Sequence, residues 1–166
     1  MIDYDGAGAE AAMIKELGLL CTEKWLHQVL FTDSDEWTAW SAMGDPVLHI
    51  ELRKWADVML VAPLSANTLA KLTTGLCDNL LTCVARAWDN SKPVIICPSM
   101  NTFMWDNAHT AEAIAKVTAP PFSYILVKPI SKVLACGDVG VGAMAEVNTI
   151  VQLCRQLTAD QASSKL

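Results

Sequence analysis

Two short apolar segments, each followed by a proline and then by polar residues, constrain the fold of this chain more than any other feature. The segments are 57–62 and 94–97, and the prolines are Pro63 and Pro98. Apolar runs of this length are typical of strands that are buried on both faces of a parallel sheet. Because ligands of open α/β sheets bind outside the carboxyl ends of the strands, the polar residues after the two prolines are candidates for a binding site.

The segment after the second strand combines an amide, hydroxyls, thioethers and an indole. It spans residues 98–105 and has the sequence PSMNTFMW. The side chain of Asn101 offers both a donor and an acceptor, so it could hold a carboxylate or an amide while apolar neighbours exclude water. In the alternative interpretation the segment is a strand-to-helix turn in which Asn101 caps the helix and the Met and Trp side chains pack in the core. The residues alone leave both interpretations open.

The segment after the first strand also carries hydroxyls and an amide. Ser65, Asn67 and Thr68 precede a predicted helix that begins near Leu69. Hydroxyl and backbone N–H groups at a helix amino terminus suit a phosphate or the polar edge of a flat heterocycle. Taken alone, the segment is better explained by ordinary N-capping. Its likeness to residues 98–105 is what makes it a site candidate.

Two other segments carry candidate chemistry. Residues 47–56 predict an amphipathic helix that places His49 and Arg53 on one face, four residues apart. Residues 132–146 hold Cys136 among several glycines, a pattern that predicts a mobile loop. A thiol in such a loop is poorly placed for a core and well placed on a lid over a site.

Composition narrows the classes of protein that fit. The 166 residues are enough for one domain with a core, and 52% of them are hydrophobic, which predicts burial at subunit interfaces as well as inside the domain. The net charge of −6 and the scattered Lys and Arg residues argue against nucleic acid as a partner. We find no apolar run of the roughly 18 residues that a membrane span needs and no signal-peptide pattern. The six cysteines contain no C-x-x-C pair, which favours a reducing, cytoplasmic compartment and no structural metal.

The remaining segments complete an alternation of strands and helices. We divide the chain into a diverged or truncated start (1–28), one domain (29–157) and a frayed tail (158–166). The helix at 79–88, with Asp78 as its cap, is apolar nearly all round, which predicts that it is buried or lies at an interface. The other predicted elements are a strand at 29–32, an acidic turn or helix cap at 33–36, a helix at 108–117, a strand at 124–127 and a helix at 147–157.

Four segments in order resemble the flavin-dependent cysteine decarboxylases, and within them the phosphopantothenoylcysteine decarboxylases of plants and animals. The likeness covers residues 29–157, and its motifs are 44–52, 62–68, 98–102 and 135–138. It implies a Rossmann-like (flavodoxin-like) three-layer α/β sandwich with a mostly parallel sheet, bound FMN, and a homotrimer or a heterotrimer with a paralogue. It also implies that 4'-phosphopantothenoylcysteine is decarboxylated to 4'-phosphopantetheine in coenzyme A biosynthesis.

The resemblance also implies roles for individual residues. In this family FMN oxidises the substrate thiol to a thioaldehyde, which serves as the electron sink for loss of carbon dioxide. By resemblance His49, supplied by a neighbouring subunit, acts as the base, Asn101 binds the substrate carboxylate, and Cys136 donates a proton when the enethiol is reduced. The residues expected to line FMN are Ser65, Ala66, Asn67, Thr68 and Ser99, and those expected to contact substrate are Ala135 and Met144.

Three departures from the family pattern keep a second function open. Residues 8–15 are only a faint match to the Gly-rich loop with which the family grips the FMN phosphate, Ser99 replaces an alanine, and Val133 replaces a basic residue. An alternative function is therefore that of a non-catalytic or heteromer-forming regulatory relative, of the phosphatase-inhibitor type. Absorbance of the purified protein and a substrate assay discriminate between the two.

Overall fold

A computed structural model describes residues 31–133 and 139–164, which form seven helices and five strands. The helices are α1 (Asp33–Ala39), α2 (Leu48–Trp55), α3 (Ala66–Thr74), α4 (Leu80–Arg86), α5 (Thr102–Trp105), α6 (Ala108–Thr118) and α7 (Val147–Ser164). The strands are β1 (Met59–Leu64), β2 (Val94–Pro98), β3 (Ile125–Leu126), β4 (Ile130–Val133) and β5 (Val139–Ala143).

Strands β1, β2 and β3 form a parallel sheet with β2 in the centre. The register pairs Met59 with Val94 and Ile95 with Ile125. Every residue of β2 is buried, as expected for the central strand of a sheet that is covered on both faces. The prediction of a parallel sheet built on the two apolar segments is confirmed.

Helices cover both faces of this sheet, so the domain has three layers. On one face Val61 and Ile96 pack with Leu69 of α3 and Val117 of α6. On the other face, residues that alternate with these along β2 pack against α7: Ile95 and Cys97 contact a cluster that includes Ile150 and Cys154. The predicted α/β sandwich of the Rossmann-like type is confirmed. Because β1, β2 and β3 are parallel, their carboxyl ends lie at the same edge of the sheet.

Several predicted boundaries are wrong by one or more residues, and each difference has a local cause. Thr32, rather than an acidic residue, caps α1 in a capping box with Asp35, and neither Phe31 nor Thr32 belongs to a strand. Asn79 caps α4, whereas Asp78 pairs with Lys71 at 2.8 Å. Cap choice depends on which side chain reaches the free N–H groups, and a sequence rich in Asp, Asn and Thr offers several candidates.

Two larger predictions are corrected. Residues 132–146 were expected to form a mobile loop, but β4 and β5 pair as an antiparallel ribbon with Ser131 opposite Val141. The helix predicted to end at Leu157 continues to Ser164, so most of the predicted tail is helical. Residues 1–28, Ala135 and Cys136 lie outside the described residues.

Candidate active site

The two polar segments of the sequence meet at the carboxyl edge of the sheet. Leu64 at the end of β1 is the register partner of Pro98 at the end of β2. The backbone N–H of Ser99 donates to the carbonyl oxygen of Leu64 at 2.9 Å. The chains that leave the two strands are therefore hydrogen-bonded to each other, and Ser65 and Ser99 start from neighbouring points at the edge where open α/β sheets bind ligands.

Ser65 caps α3. Its hydroxyl oxygen accepts from the backbone N–H of Thr68 at 3.1 Å, and the two hydroxyl groups lie 3.1 Å apart. Helix α3 begins at Ala66, so Asn67 and Thr68 lie in its first turn rather than before it. The capping interpretation is confirmed. Ser65 and Asn67 remain exposed, so hydroxyl and amide groups surround the positive end of the α3 dipole.

Asn101 also caps a helix, the four-residue α5. The side-chain carbonyl oxygen of Asn101 accepts a hydrogen bond from the backbone N–H of Phe103 at 2.9 Å. The cap uses the oxygen of the side-chain amide, and carboxylate binding by Asn101 stays a prediction. Of the apolar neighbours, Met100 is buried, but Phe103 and Met104 are 78% and 49% exposed. The capping interpretation also placed the Met side chains of this segment in the core, and that part of it is wrong for Met104.

The β4–β5 ribbon packs directly on the Asn101 segment. The backbone N–H of Met100 donates to the carbonyl oxygen of Gly142 at 2.9 Å. A Cβ atom at Gly142 would overlap the Met100 carbonyl, and one at Gly140 would overlap the side chain of Thr102. Glycines at alternate strand positions often mark such a close approach of backbones, and this signal was present in the sequence. The ribbon therefore packs on Met100 and Thr102, the residues on either side of Asn101.

Thr102, the first residue of α5, has an unsatisfied side-chain hydroxyl among the described residues. Its Oγ1 atom is buried and has no hydrogen-bond partner among the described residues. A buried polar atom without a partner costs about 1–3 kcal/mol, so such atoms often mark a place where another group binds. Thr102 was not predicted as a site residue.

His49 lies on a different part of the domain, as the second residue of α2. Its Nδ1 atom is 2.5 Å from Oε1 of Glu36, and its backbone N–H donates to Oε2 at 3.1 Å. The principal packing partners of α2 are α1 and α4, whereas α5 packs against α6 and β5. His49 and Asn101 therefore belong to helices that pack with different neighbours. Glu36 was not predicted as a site residue, because no spacing rule relates it to His49.

Met144 follows β5 and is half-buried. It packs against the core cluster that contains Ile95 and Ile150. Contact with substrate stays a prediction for Met144, as it does for Ala135.

Burial raises the pKa of the Cys97 thiol to about 12, and Cys154 nearby adds to the rise. Cys97 is therefore a neutral core side chain and not a nucleophile.

Within residues 31–133 and 139–164, no group of three or more His, Cys, Asp and Glu side chains could hold a metal ion. Over the same ranges, no helix combines the length and the apolar character that are needed to cross a bilayer.

The sheet, its two helical layers and the polar strand ends define a flavodoxin-like α/β protein. The chain belongs to the Flavoprotein family, whose model matches residues 8–159. It is 57% identical over 133 residues to a probable phosphopantothenoylcysteine decarboxylase of Arabidopsis thaliana, and this match covers 80% of the chain and 65% of that protein. It is 54% identical over 134 residues to phosphopantothenoylcysteine decarboxylase of Mus musculus, with 81% and 65% covered. The chain thus spans slightly less than two thirds of these curated relatives.

Solved structures agree with these relatives. A mutant PPC decarboxylase complexed with pantothenoylaminoethenethiol is 54% identical to the chain and superposes with a TM-score of 0.74, covering 76% of this chain and 69% of that one. The FMN binding protein AtHal3 is 55% identical with a TM-score of 0.69, covering 76% and 68%.

Proposed function

We propose that the protein catalyses the FMN-dependent decarboxylation of 4'-phosphopantothenoylcysteine to 4'-phosphopantetheine, a step of coenzyme A biosynthesis. One observation carries this proposal. Two polar segments meet at the carboxyl edge of the sheet, through the Leu64–Ser99 hydrogen bond of 2.9 Å, in a chain 54% identical to a PPC decarboxylase complexed with pantothenoylaminoethenethiol. The relatives of Arabidopsis and mouse support the same reaction.

The residues at this edge fit FMN. Ser65 and Asn67 present exposed polar groups beside the amino terminus of α3, and Ser99 leaves the adjacent strand end. Ala66 and Thr68 in the first turn complete the expected lining, and a small side chain such as Ala66 lets a flat ring approach the backbone. When bound, FMN supplies the redox chemistry that makes the carbon–carbon bond cleavable.

The chain's own residues bind and orient the substrate. The amide nitrogen of Asn101 donates to the substrate carboxylate, while its oxygen stays in the α5 cap. Buried Met100 beneath this corner helps to exclude water. His49 acts as the base in the oxidation–decarboxylation step. Cys136, which lies between β4 and β5 in the sequence, donates the proton that completes the enethiol's reduction.

We further propose that the protein is a cytoplasmic homotrimer, or a heterotrimer with a paralogue, in which His49 reaches the site of a neighbouring subunit. The separate packing of α2 and α5 supports this arrangement. Large apolar side chains on the surface support it as well: Trp37 is 76% exposed, Met43 is 96% exposed and Phe103 is 78% exposed. Exposed apolar side chains that form a contiguous patch often mark an interface. Sedimentation velocity of the purified protein measures the assembly, and a monomer at micromolar concentration would contradict it.

Absorbance spectroscopy and a substrate assay test the proposed function. We expect a flavin spectrum, in the purified protein or after FMN is added, and conversion of 4'-phosphopantothenoylcysteine that His49→Asn or Cys136→Ser abolishes without loss of the flavin. A colourless protein that binds no added FMN would refute the enzymatic proposal. If such a protein also captured a paralogous chain, the regulatory, heteromer-forming function would be favoured instead.

A further inference from the structure

Glu36 of α1 holds His49 of α2 through both oxygens of one carboxylate. Oε1 is 2.5 Å from the ring atom Nδ1, and Oε2 accepts the backbone N–H of the same histidine at 3.1 Å. The pair is largely shielded, because the side chain of His49 is 24% exposed and that of Glu36 is 13% exposed. A bidentate contact of this kind fixes the position of the imidazole and the plane of its ring.

The backbone half of this contact serves helix α2. Val47 precedes α2 and provides no side-chain cap, so an N–H group in the first turn needs a partner from elsewhere. Glu36 supplies that partner and places a negative charge at the positive end of the α2 dipole. One carboxylate thereby joins the cap of the helix to the orientation of its histidine ring.

The helix that carries Glu36 is itself held in place. Thr32 and Asp35 form the capping box of α1. The side chain of Asp33 accepts the backbone N–H of Leu80 at 2.7 Å, which ties α1 to the first turn of α4. Helix α2 packs on the same α4. Glu36 and His49 therefore approach each other from two helices with a common support.

The contact between Glu36 and the imidazole ring of His49 determines which ring nitrogen can act as a base. An ionised carboxylate only accepts hydrogen bonds, so Nδ1 of His49 carries the proton and Nε2 carries the lone pair. We propose that Glu36 is a positioning residue that favours this tautomer of the neutral imidazole, so that Nε2 is the proton acceptor in the decarboxylase reaction. This inference rests on the proposed function for the reaction, but the tautomer itself is a property of the protein without substrate.

The variant Glu36→Gln separates the two halves of the contact. The amide oxygen can still accept the His49 backbone N–H, so the cap of α2 survives. The amide nitrogen is then directed at Nδ1 and, being a donor, favours the opposite tautomer, with the proton on Nε2. In a catalytic triad, replacing the carboxylate with an amide leaves the geometry intact and lowers the rate about 10⁴-fold through this change of tautomer.

The test uses the full-length protein labelled with ¹⁵N-histidine. The ring signals of His49 are assigned by their loss in His49→Asn, and their shifts identify the protonated nitrogen. Glu51→Gln is the matched control, because Glu51 lies on α2 and pairs with Lys54 at 2.8 Å rather than with the histidine. FMN affinity, the unfolding midpoint and turnover are measured on each variant.

We expect a proton on Nδ1 in the wild type and in Glu51→Gln, and on Nε2 in Glu36→Gln. Glu36→Gln should keep the unfolding midpoint and the FMN affinity while turnover falls by roughly 10²- to 10⁴-fold. Glu36→Asp, which keeps a carboxylate, should restore part of the Nδ1-protonated signal. A proton on Nε2 in the wild type would overturn the inference even if Glu36→Gln failed to fold, and so would wild-type turnover in a folded Glu36→Gln.

The same experiment separates this inference from the function on which it rests. If the wild type showed a Glu36-dependent tautomer but bound no FMN and turned over no substrate, the enzymatic proposal would fail while the positioning of the ring would stand. If turnover were normal and the tautomer did not respond to Glu36→Gln, the function would stand and the positioning inference would fail.

Discussion

The backbone N–H of Met100 donates a 2.9 Å hydrogen bond to the carbonyl oxygen of Gly142. This bond joins the segment that carries Asn101 to the β4–β5 ribbon, and the two glycines of β5 make the approach possible. The segment with the proposed proton donor, Cys136, connects the two strands of that ribbon. The segment around Asn101 and the β4–β5 ribbon are thus held together by this close contact.

Gly142→Ala should separate these two parts of the site. Its Cβ atom would overlap the Met100 carbonyl, so the ribbon must shift, and we expect a loss of about 1–3 kcal/mol in the free energy of unfolding. Turnover should fall further than the loss of folded protein explains. Val141→Ala, at a side chain that is 38% exposed, is the control and should change stability by about 0.5 kcal/mol or less. Equal turnover in Gly142→Ala and the wild type would contradict the proposed coupling.

Asn101→Asp distinguishes the helix cap from carboxylate binding. Aspartate caps a helix about as well as asparagine, so urea unfolding should give a stability within about 0.5 kcal/mol of the wild type. The new charge removes the amide donor and repels the substrate carboxylate, so kcat/KM should fall by about 10²-fold or more. Asn101→Ala should lose the cap as well, at a cost of about 0.5–2 kcal/mol. Asn101 would be a cap only if the aspartate variant kept normal kinetics.

The thiols should differ sharply in reactivity. Cys77 is exposed and Cys97 is fully buried, with a pKa raised to about 12 by burial. At pH 8 such a thiol is ionised in roughly one molecule in 10⁴. We expect iodoacetamide to modify Cys77 but not Cys97 in the folded protein, and to modify both in urea, as measured by peptide mass spectrometry. Modification of Cys97 at a rate similar to that of Cys77 in the folded state would show that the β2 core is open.

Stability should decrease in alkaline solution because of the same thiol. Cys97 has a pKa raised from 9.0 to about 12 in the folded state, so above pH 9 the unfolded chain releases this proton while the folded chain keeps it. The contribution is fully present below pH 9 and is lost as the pH rises towards 12. The unfolding free energy of Cys97→Ala should therefore fall less steeply between pH 9 and 11 than that of the wild type. Parallel slopes would refute this assignment.

Local patterns were sufficient to predict the parallel sheet and most of its helices. The apolar runs that became β1 and β2 act over a few residues, so the sequence reports them directly. The β4–β5 ribbon was missed because its glycines are explained by Met100 and Thr102, which lie some 40 residues earlier in the chain. The contact between Glu36 and His49 was missed for the same reason, since helix packing and not spacing brings the two together.

The helix caps show what can be predicted from residue chemistry alone. Both Ser65 and Asn101 proved to be helix caps, as one of the two interpretations of each segment required. Capping does not conflict with ligand binding, because the cap of Asn101 uses only its oxygen. The sequence could not indicate that the two caps follow strand ends that are hydrogen-bonded to each other. The register of β1 and β2 creates this relationship.

The central claim is that these strand ends form the site of a decarboxylase. The most direct test is mass spectrometry of 4'-phosphopantothenoylcysteine after incubation with the FMN-treated protein, with Asn101→Asp measured in parallel. The account predicts 4'-phosphopantetheine formed over many turnovers by the wild type and at most about a hundredth as fast by the variant. Unchanged substrate with a folded, flavin-bound wild type, or equal rates for the two proteins, would contradict it.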